Sequence, residues 1–387
     1  MRAGLLAARG LGDQATVSLC QTIRRTGLTV HAAPHKLHQM SLNIPLVANH
    51  GPVASAAPAA AASSSQPRRI SLALQGGGSL GAFTWGVLDR LLEEDNLEID
   101  TVSGASAGAV NAVVMASGLR EGGREGAREN LRTFWTRLVD QAPHAIVAGI
   151  LGGFGGASRA RMAFDVQSRV LSPYQTNPLG LNPLRGLLAQ SVDADALRAD
   201  PPFKLLIAAT RVADGSLRMF RESEITIEAV LASTCLPLLH HAVEIDGETY
   251  WDGGYASNPP LIQLVETSDA SSILLVQIIP TEGNEHPTTS PHIVKRLNQI
   301  TFNTPLMHEI ESIASMRRLA EAEGGDSPLA RKLSHLQLDR LAAEEWYAHL
   351  GRHSALDLDR DFVMTLHAHG RRAAEAWLAG EPPSLMP

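Results

Sequence analysis

The stretch Gly104-Ala105-Ser106-Ala107-Gly108 constrains this chain more than any other. It follows a short apolar run, Ile99 to Val102, and opens a run of small and aliphatic residues from Ala109 to Ala116, so a strand must turn directly into a helix at a serine. Glycines on both sides allow strained backbone and close approach, which pushes the Ser106 hydroxyl out at the apex of the turn. There it sits at the positive end of the helix dipole, where developing negative charge is stabilised. Alone, the turn is weak evidence: with 33 glycines among 387 residues, chance gives roughly 0.2 matches to G-x-S-x-G in a chain of this length. Its position, where a strand signal meets a helix signal, raises the weight of a nucleophilic serine against a plain helix N-cap.

A second strand-loop-helix unit precedes it. Ile70 to Leu74 reads as a strand, Gln75 to Gly81 as a glycine loop, and Ala82 to Glu93 as a helix with Phe83, Val87, Leu88, Leu91 and Leu92 on one face. Gly76, Gly78 and Gly81 satisfy G-x-G-x-x-G, so a dinucleotide site is a rival reading. That site needs an acid after the next strand, whereas Asp95, Glu98 and Asp100 fall before or at its start. The other reading makes the N–H groups of Gly77 and Gly78 donors to a tetrahedral oxyanion, a role that demands bare backbone. A purely structural tight turn is the third.

A nucleophilic serine needs a base. His240 and His241 stand in a turn that leads into a strand, where packing or surface roles are commoner. Asp252 follows a hairpin strand and precedes Gly253 and Gly254, which place its carboxylate at a loop tip; a turn aspartate before glycines is the plain alternative. Cys20 and Cys235 are the only cysteines and indicate no disulfide framework. The pairs His31/His35 and His349/His353 lack an HExxH pattern, and no metal or cofactor is expected.

The remaining pattern divides the chain. Residues 1–69 hold seven Lys or Arg against one acid, which leaves 26 bases and 39 acids in the rest, a poor balance for nucleic acid or anionic bilayers. Residues 1–68 read as an extension outside the fold, with low-complexity Pro52 to Gln66 expected to be disordered. Two readings of residues 1–39 stay open: an acid-poor segment of transit-peptide composition, or a true start at Met40. A helix to about Ser117, a glycine and charge cluster at Glu121 to Gly126, and a helix from Ala127 to Val139 come after the serine turn. Further strands are expected at Lys204 to Ala209, Leu217 to Phe220 and Ile273 to Ile279, a hairpin around Asp246-Gly247 at Val243 to Tyr250, and short helices at Ile225 to Thr234 and Pro259 to Glu266. Beyond residue 282 the periodicity of 292–323, 329–345 and 361–378 predicts a helical annex without strands. No apolar run reaches membrane-spanning length; Ala145 to Gly156 is the candidate for peripheral contact.

Taken together, Gly76-Gly77-Gly78-Ser79-Leu80-Gly81, Gly104-Ala105-Ser106-Ala107-Gly108 and Asp252-Gly253-Gly254 resemble, in order and spacing, the motifs of patatin-like phospholipases. The small-residue run Ala232 to Pro237 resembles the segment before that family's aspartate. The resemblance implies a three-layer α/β/α fold with a mostly parallel sheet over 69–282, a Ser106-Asp252 dyad without histidine, and hydrolysis of lipid acyl esters. Residues 283–387 resemble the helical C-terminal extension of one bacterial branch. Gln75 and Leu80 depart from the family's usual acid and cation; loss of the cation removes a contact to an anionic head group and puts preference for phospholipid over neutral ester in doubt. The expected partners are a lipid or acyl-ester substrate and a membrane surface, with self-association through the C-terminal helices and a cytoplasmic or peripheral location. The rival functions are an α/β-hydrolase esterase or polyester hydrolase with a Ser-His-Asp triad, and a non-catalytic lipid-binding protein on the same scaffold.

Overall fold

A computed structural model describes residues 67–150, 171–281, 286–322, 327–343 and 355–380. Residues 1–66 of the expected N-terminal extension, both histidine pairs and residues 151–156 of the apolar stretch lie outside them, and Arg68, expected in the extension, opens the first strand.

Among the described residues eight strands form one sheet. β1 (Arg68–Leu74), β2 (Leu97–Ala105), β3 (Lys204–Arg211), β7 (Ser272–Gln277) and β8 (Gln337–Ala342) are parallel, in the order β3-β2-β1-β7-β8. β4 (Leu217–Arg221) and β6 (Glu248–Asp252) pair antiparallel with β3, and β5 (Val243–Ile245) pairs with β6. The β5–β6 turn has Asp246 and Gly247 both at positive φ, 53° and 79°, the backbone twist that a two-residue hairpin favours.

The central strands are apolar on both faces because helices cover both. On one face Leu72, Leu74, Val102, Leu274 and Val276 pack with α1 (Gly81–Leu91), α2 (Ala107–Ile150) and α10 (Arg360–Leu378). On the other, Ala73, Leu206, Ile273 and Leu275 pack with α7 (Leu261–Thr267), α8 (Ser290–Ala322) and α9 (Pro328–His335). The alternation Ile273/Leu275 against Leu274/Val276 is the period-2 signature of one strand shared by two cores. The result is the expected three-layer α/β/α fold.

Shorter helices complete it: α3 (Pro173–Thr176), α4 (Pro183–Ser191), α5 (Ala194–Ala199) and α6 (Ile227–Ser233). The helix after Ser106 runs past Ser117; its break narrows to Gly122 and Gly123, whose φ values are −142° and 62°.

The C-terminal region departs from an all-helical reading. Residues 337–342, expected within a helix, form β8, because β7 offers a free parallel edge and Leu338 and Leu341 turn inward there. α10 lies close on α1. A Cβ on Gly370 would stand 2.0 Å from the Phe83 carbonyl oxygen, and one on Gly86 the same distance from that of His367. Asp89 of α1 accepts from Arg128, His367 and Arg371, which ties α1, α2 and α10 together and holds its carboxyl well below the usual range. The Trp377 indole donates to Asp339 of β8 at 2.9 Å. Residues beyond 282 thus supply one strand and three helices to the body itself.

Candidate active site

β2 ends at Ala105 and α2 starts at Ala107, so the turn between them is a single residue. Ser106 takes it at φ 52°, a left-handed conformation that costs a non-glycine residue of order 1 kcal/mol. The flanking glycines are there for contact: a Cβ on Gly104 would lie 2.7 Å from the Ala109 nitrogen, and one on Gly108 2.0 Å from the Leu74 carbonyl oxygen. The Ser106 N–H donates to Ser233 Oγ at 2.9 Å, and its carbonyl accepts from Val110 in the first turn of α2.

Asp252 reaches the same point from the opposite direction. β2 pairs with β3 up to Ala105↔Ala208, and β6 pairs with it from Ala209↔Asp252 onward. β4 already occupies the other edge of β3, across Leu206 to Thr210. β2 and β6 therefore share one edge end to end, β2 running up to the serine and β6 running down to the aspartate. The contact is tight: a Cβ on Gly253 would lie 2.2 Å from the Ala208 carbonyl oxygen, and one on Gly254 would meet the Phe302 ring at 2.5 Å.

The Asp252 carboxyl is fully buried. Oδ1 accepts from the Gly254 N–H at 2.8 Å, while Oδ2 stands without a partner at full hydrogen-bonding geometry. Burial pushes the pKa up to about 7 against two weaker downward pulls, from the Ser106 hydroxyl and the Gly254 N–H. The hydroxyl thus acts on the carboxyl while remaining only loosely engaged with it. Trp251 precedes Asp252 in β6, so strand alternation sends it to the opposite face.

The run Ala232 to Pro237 serves both residues. Ser233 receives the Ser106 N–H, and the Cys235 carbonyl accepts the Asp252 N–H at 2.8 Å. The adjacent histidines are engaged elsewhere or enclosed. His241 Nε2 lies 3.2 Å from the Pro173 carbonyl oxygen and its ring stacks on Tyr174, whereas His240 Nδ1 is buried without a partner and burial lowers its pKa.

The glycine loop lies over the serine turn. A Cβ on Gly76 would meet Ser106 Cβ at 2.6 Å, one on Gly81 would meet Ala107 Cβ at 2.7 Å, and Gly77 packs against Ile278 and Ile279. Gly78 has φ 60°, and a side chain there would strike the Ala355 carbonyl oxygen, which accepts the Ser79 N–H at 2.7 Å. The Gly76 N–H is taken by Asn258 Oδ1 at 2.7 Å; those of Gly77 and Gly78 have no acceptor among the described residues.

Three side chains have supporting roles that the sequence did not reveal, Gln75 among them although its departure from the family's usual acid was plain. Asn258 holds Gly76 through both backbone groups and also donates to the Phe302 carbonyl. Gln75 accepts from the Ile278 and Ile279 N–H groups at 2.8 Å each and donates to Asn303 Oδ1 at 2.8 Å. The amide is what this position requires, since a carboxylate would have no proton for Asn303. Glu309 of α8 accepts from Ser257 and from the Leu261 and Ile262 N–H groups, closing the start of α7. Only Asn-Pro-Pro following Asp-Gly-Gly hinted at any of this, and it reads simply as a loop.

The dinucleotide reading fails on placement. Asp100 binds Ser71, Thr101 and the Asp269 N–H at the start of β2, the end of the sheet away from the glycine loop. Among the described residues no group of three His, Cys, Asp or Glu side chains could hold a metal ion, and no helix is long and apolar enough to cross a membrane.

Comparison with known proteins follows the same lines. VipD from Legionella pneumophila is similar at 15% identity and a TM-score of 0.40, over 83% of this chain and 68% of that one. ExoU, in its heterodimeric complex with SpcU from the type III secretion system of Pseudomonas aeruginosa, is similar at 16% identity and a TM-score of 0.31, over 81% and 76%. No curated protein matches. Residues 72–265, half of the chain, match the family model described as patatin-like phospholipase, and the chain belongs to that family.

Proposed function

We propose that this protein cleaves fatty-acyl esters of lipids with Ser106 as nucleophile and Asp252 as its base. The observation that carries the reading is the shared edge of β3, along which a strained, buried serine and a buried carboxyl come to the same point. An ordinary aspartate, with pKa about 3.9, is a weak base at neutral pH. One raised to about 7 is half-ionised there and matched to proton transfer.

In the proposed cycle the Asp252 carboxylate takes the Ser106 proton as Oγ attacks the ester carbonyl. The Gly77 and Gly78 N–H groups receive the oxyanion, and collapse of the intermediate returns the proton from Asp252 to the departing alcohol. Water then repeats the sequence on the acyl-enzyme: Asp252 removes its proton, the hydroxide oxygen forms the new bond, and Ser106 leaves with the proton regained. Residues 69–282 hold this machinery, and residues from 283 onward buttress it through Asn303 and Glu309. Among the described residues no hydrogen bond links His240 or His241 to Ser106 or Asp252.

Ser106→Ala and Asp252→Asn should each abolish hydrolysis of a p-nitrophenyl acyl ester and leave the fold intact, and a fluorophosphonate should label wild type but not Ser106→Ala. Full activity in Asp252→Asn would sink the dyad. Loss of activity in His240→Ala or His241→Ala equal to that of the serine variant would replace it with a triad, and an unlabelled wild type would favour a non-catalytic lipid binder.

A further inference from the structure

We infer that the loop face built from residues 171–184 and 236–242 docks on the zwitterionic surface of a phospholipid bilayer, a reading that rests on the lipid-hydrolase proposal above. Leu179, Leu181, Leu238 and Tyr174 are 81%, 68%, 65% and 57% exposed, a concentration of apolar surface that marks a contact. They are displayed on fixed backbone. Asn177 Oδ1 accepts the Leu181 N–H at 3.0 Å, its Nδ2 donates to the Leu181 carbonyl at 2.8 Å, and Gly180 closes the turn at φ 61°.

The two segments form one surface. Tyr174 stacks on His241 with ring centroids 4.0 Å apart, and its hydroxyl accepts the Ala242 N–H at 3.2 Å. Leu238 tops the turn closed by the Leu239 and His240 N–H groups donating to the Leu236 carbonyl. That turn leaves Cys235, whose carbonyl holds the Asp252 N–H, so the segment that carries Leu238 also fixes the aspartate.

Charge selects the occupant. Residues 171–184 and 229–243 contain no Asp, Glu, Lys or Arg in a chain that is 19% charged. The 39 acids against 26 bases beyond residue 69 oppose approach to an anionic bilayer, so adhesion falls to aliphatic and tyrosine side chains entering an interface without net charge. A substrate whose ester lies at the depth of the lipid head groups would then meet Ser106 without leaving the bilayer. Its residues are other than those of the 145–156 stretch that the sequence suggested for membrane contact.

The test is flotation with vesicles of dialkyl-ether phosphatidylcholine, which present the surface but no cleavable ester. Wild type should float. Leu179→Glu/Leu181→Glu should partition at least tenfold less, and Leu238→Glu should also lose binding. The double variant should lose hydrolysis of ester phosphatidylcholine vesicles in proportion, yet cleave soluble p-nitrophenyl butyrate within twofold of wild type. Unchanged flotation of the variants, or no flotation of wild type, would overturn the inference. So would stronger binding on adding phosphatidylglycerol, or a dimer that the substitutions dissociate while vesicles bind neither form. Failure of the hydrolase reading looks different: wild type would float and cleave neither ester.

Discussion

Replacing Asp252 by asparagine should silence the protein and, at alkaline pH, stabilise it. Burial raises this carboxyl from 3.8 to about 7. Below the lower value folded and unfolded states are both protonated and the group contributes nothing. Between the two the folded state keeps a proton that the unfolded chain releases, so stability falls as pH rises; above the upper value the whole penalty is present. At about 1.36 kcal/mol per pKa unit, the buried carboxylate costs roughly 4 kcal/mol at pH 8. An asparagine side chain carries no charge and accepts the Gly254 N–H as the carboxyl does, so the Asp252→Asn variant escapes this cost. Urea unfolding of both proteins between pH 5 and 8 should show the variant's advantage growing by about 2–3 kcal/mol. Glu309, also raised by burial, is common to both proteins and cancels. The same ionisation should appear in wild-type kcat/KM on a soluble ester as a rise with pH through an apparent pKa near 7. Parallel stability curves, or activity flat from pH 5 to 8, would refute a buried carboxylate as the base.

The support around the dyad can be tested one element at a time. Asn258→Leu leaves the Gly76 N–H buried without its acceptor, and kcat on a soluble ester should fall about ten- to a hundredfold with KM little changed, the mark of a displaced oxyanion loop. Gln75→Leu removes the acceptor of two buried N–H groups and should lower unfolding free energy by about 2–4 kcal/mol, read by urea titration. Gly370→Ala drives a methyl against the Phe83 carbonyl and should destabilise by about 2 kcal/mol, despite a helix-propensity gain of about 1 kcal/mol; an unchanged midpoint would mean that α10 is free to lift from α1.

Much of this site is legible in the chain because its parts are local. A glycine loop after one strand and a serine turn after the next are each fixed by neighbours within ten residues, and the hairpin that delivers Asp252 is set by Asp246-Gly247. β8 was not legible for the opposite reason: Leu338 and Leu341 suit one face of a helix as well as a strand, and only the open edge of β7 decides between them. The roles of Asn258, Gln75 and Asn303 were not legible because their meaning is a matter of partners: Gln75 and Asn303 are 228 positions apart and Gly76 and Asn258 182 apart.

The most consequential relation, the meeting of Ser106 and Asp252, depends on the length of a strand edge. β3 spans eight residues, and β2 covers its edge only to Ala208. Had β2 run two residues further, β6 could not have paired at Ala209, and the aspartate would have ended elsewhere. β2 stops because Ser106 takes a positive φ, and that conformation is held by the Ser233 hydroxyl on its N–H and by glycines that let Leu74 and Ala109 come close. The Cys235 carbonyl, two residues from Ser233, then receives the Asp252 N–H where β6 ends. The turn that strains the serine therefore also clears the place where its base docks, and the small-residue run fixes both. A substitution such as Ser233→Val, which removes the hydroxyl and adds bulk at that junction, should relax the serine and displace the aspartate together. Fluorophosphonate labelling and the pH dependence of stability should then be lost in the same variant; loss of one with retention of the other would show that the two residues are held independently.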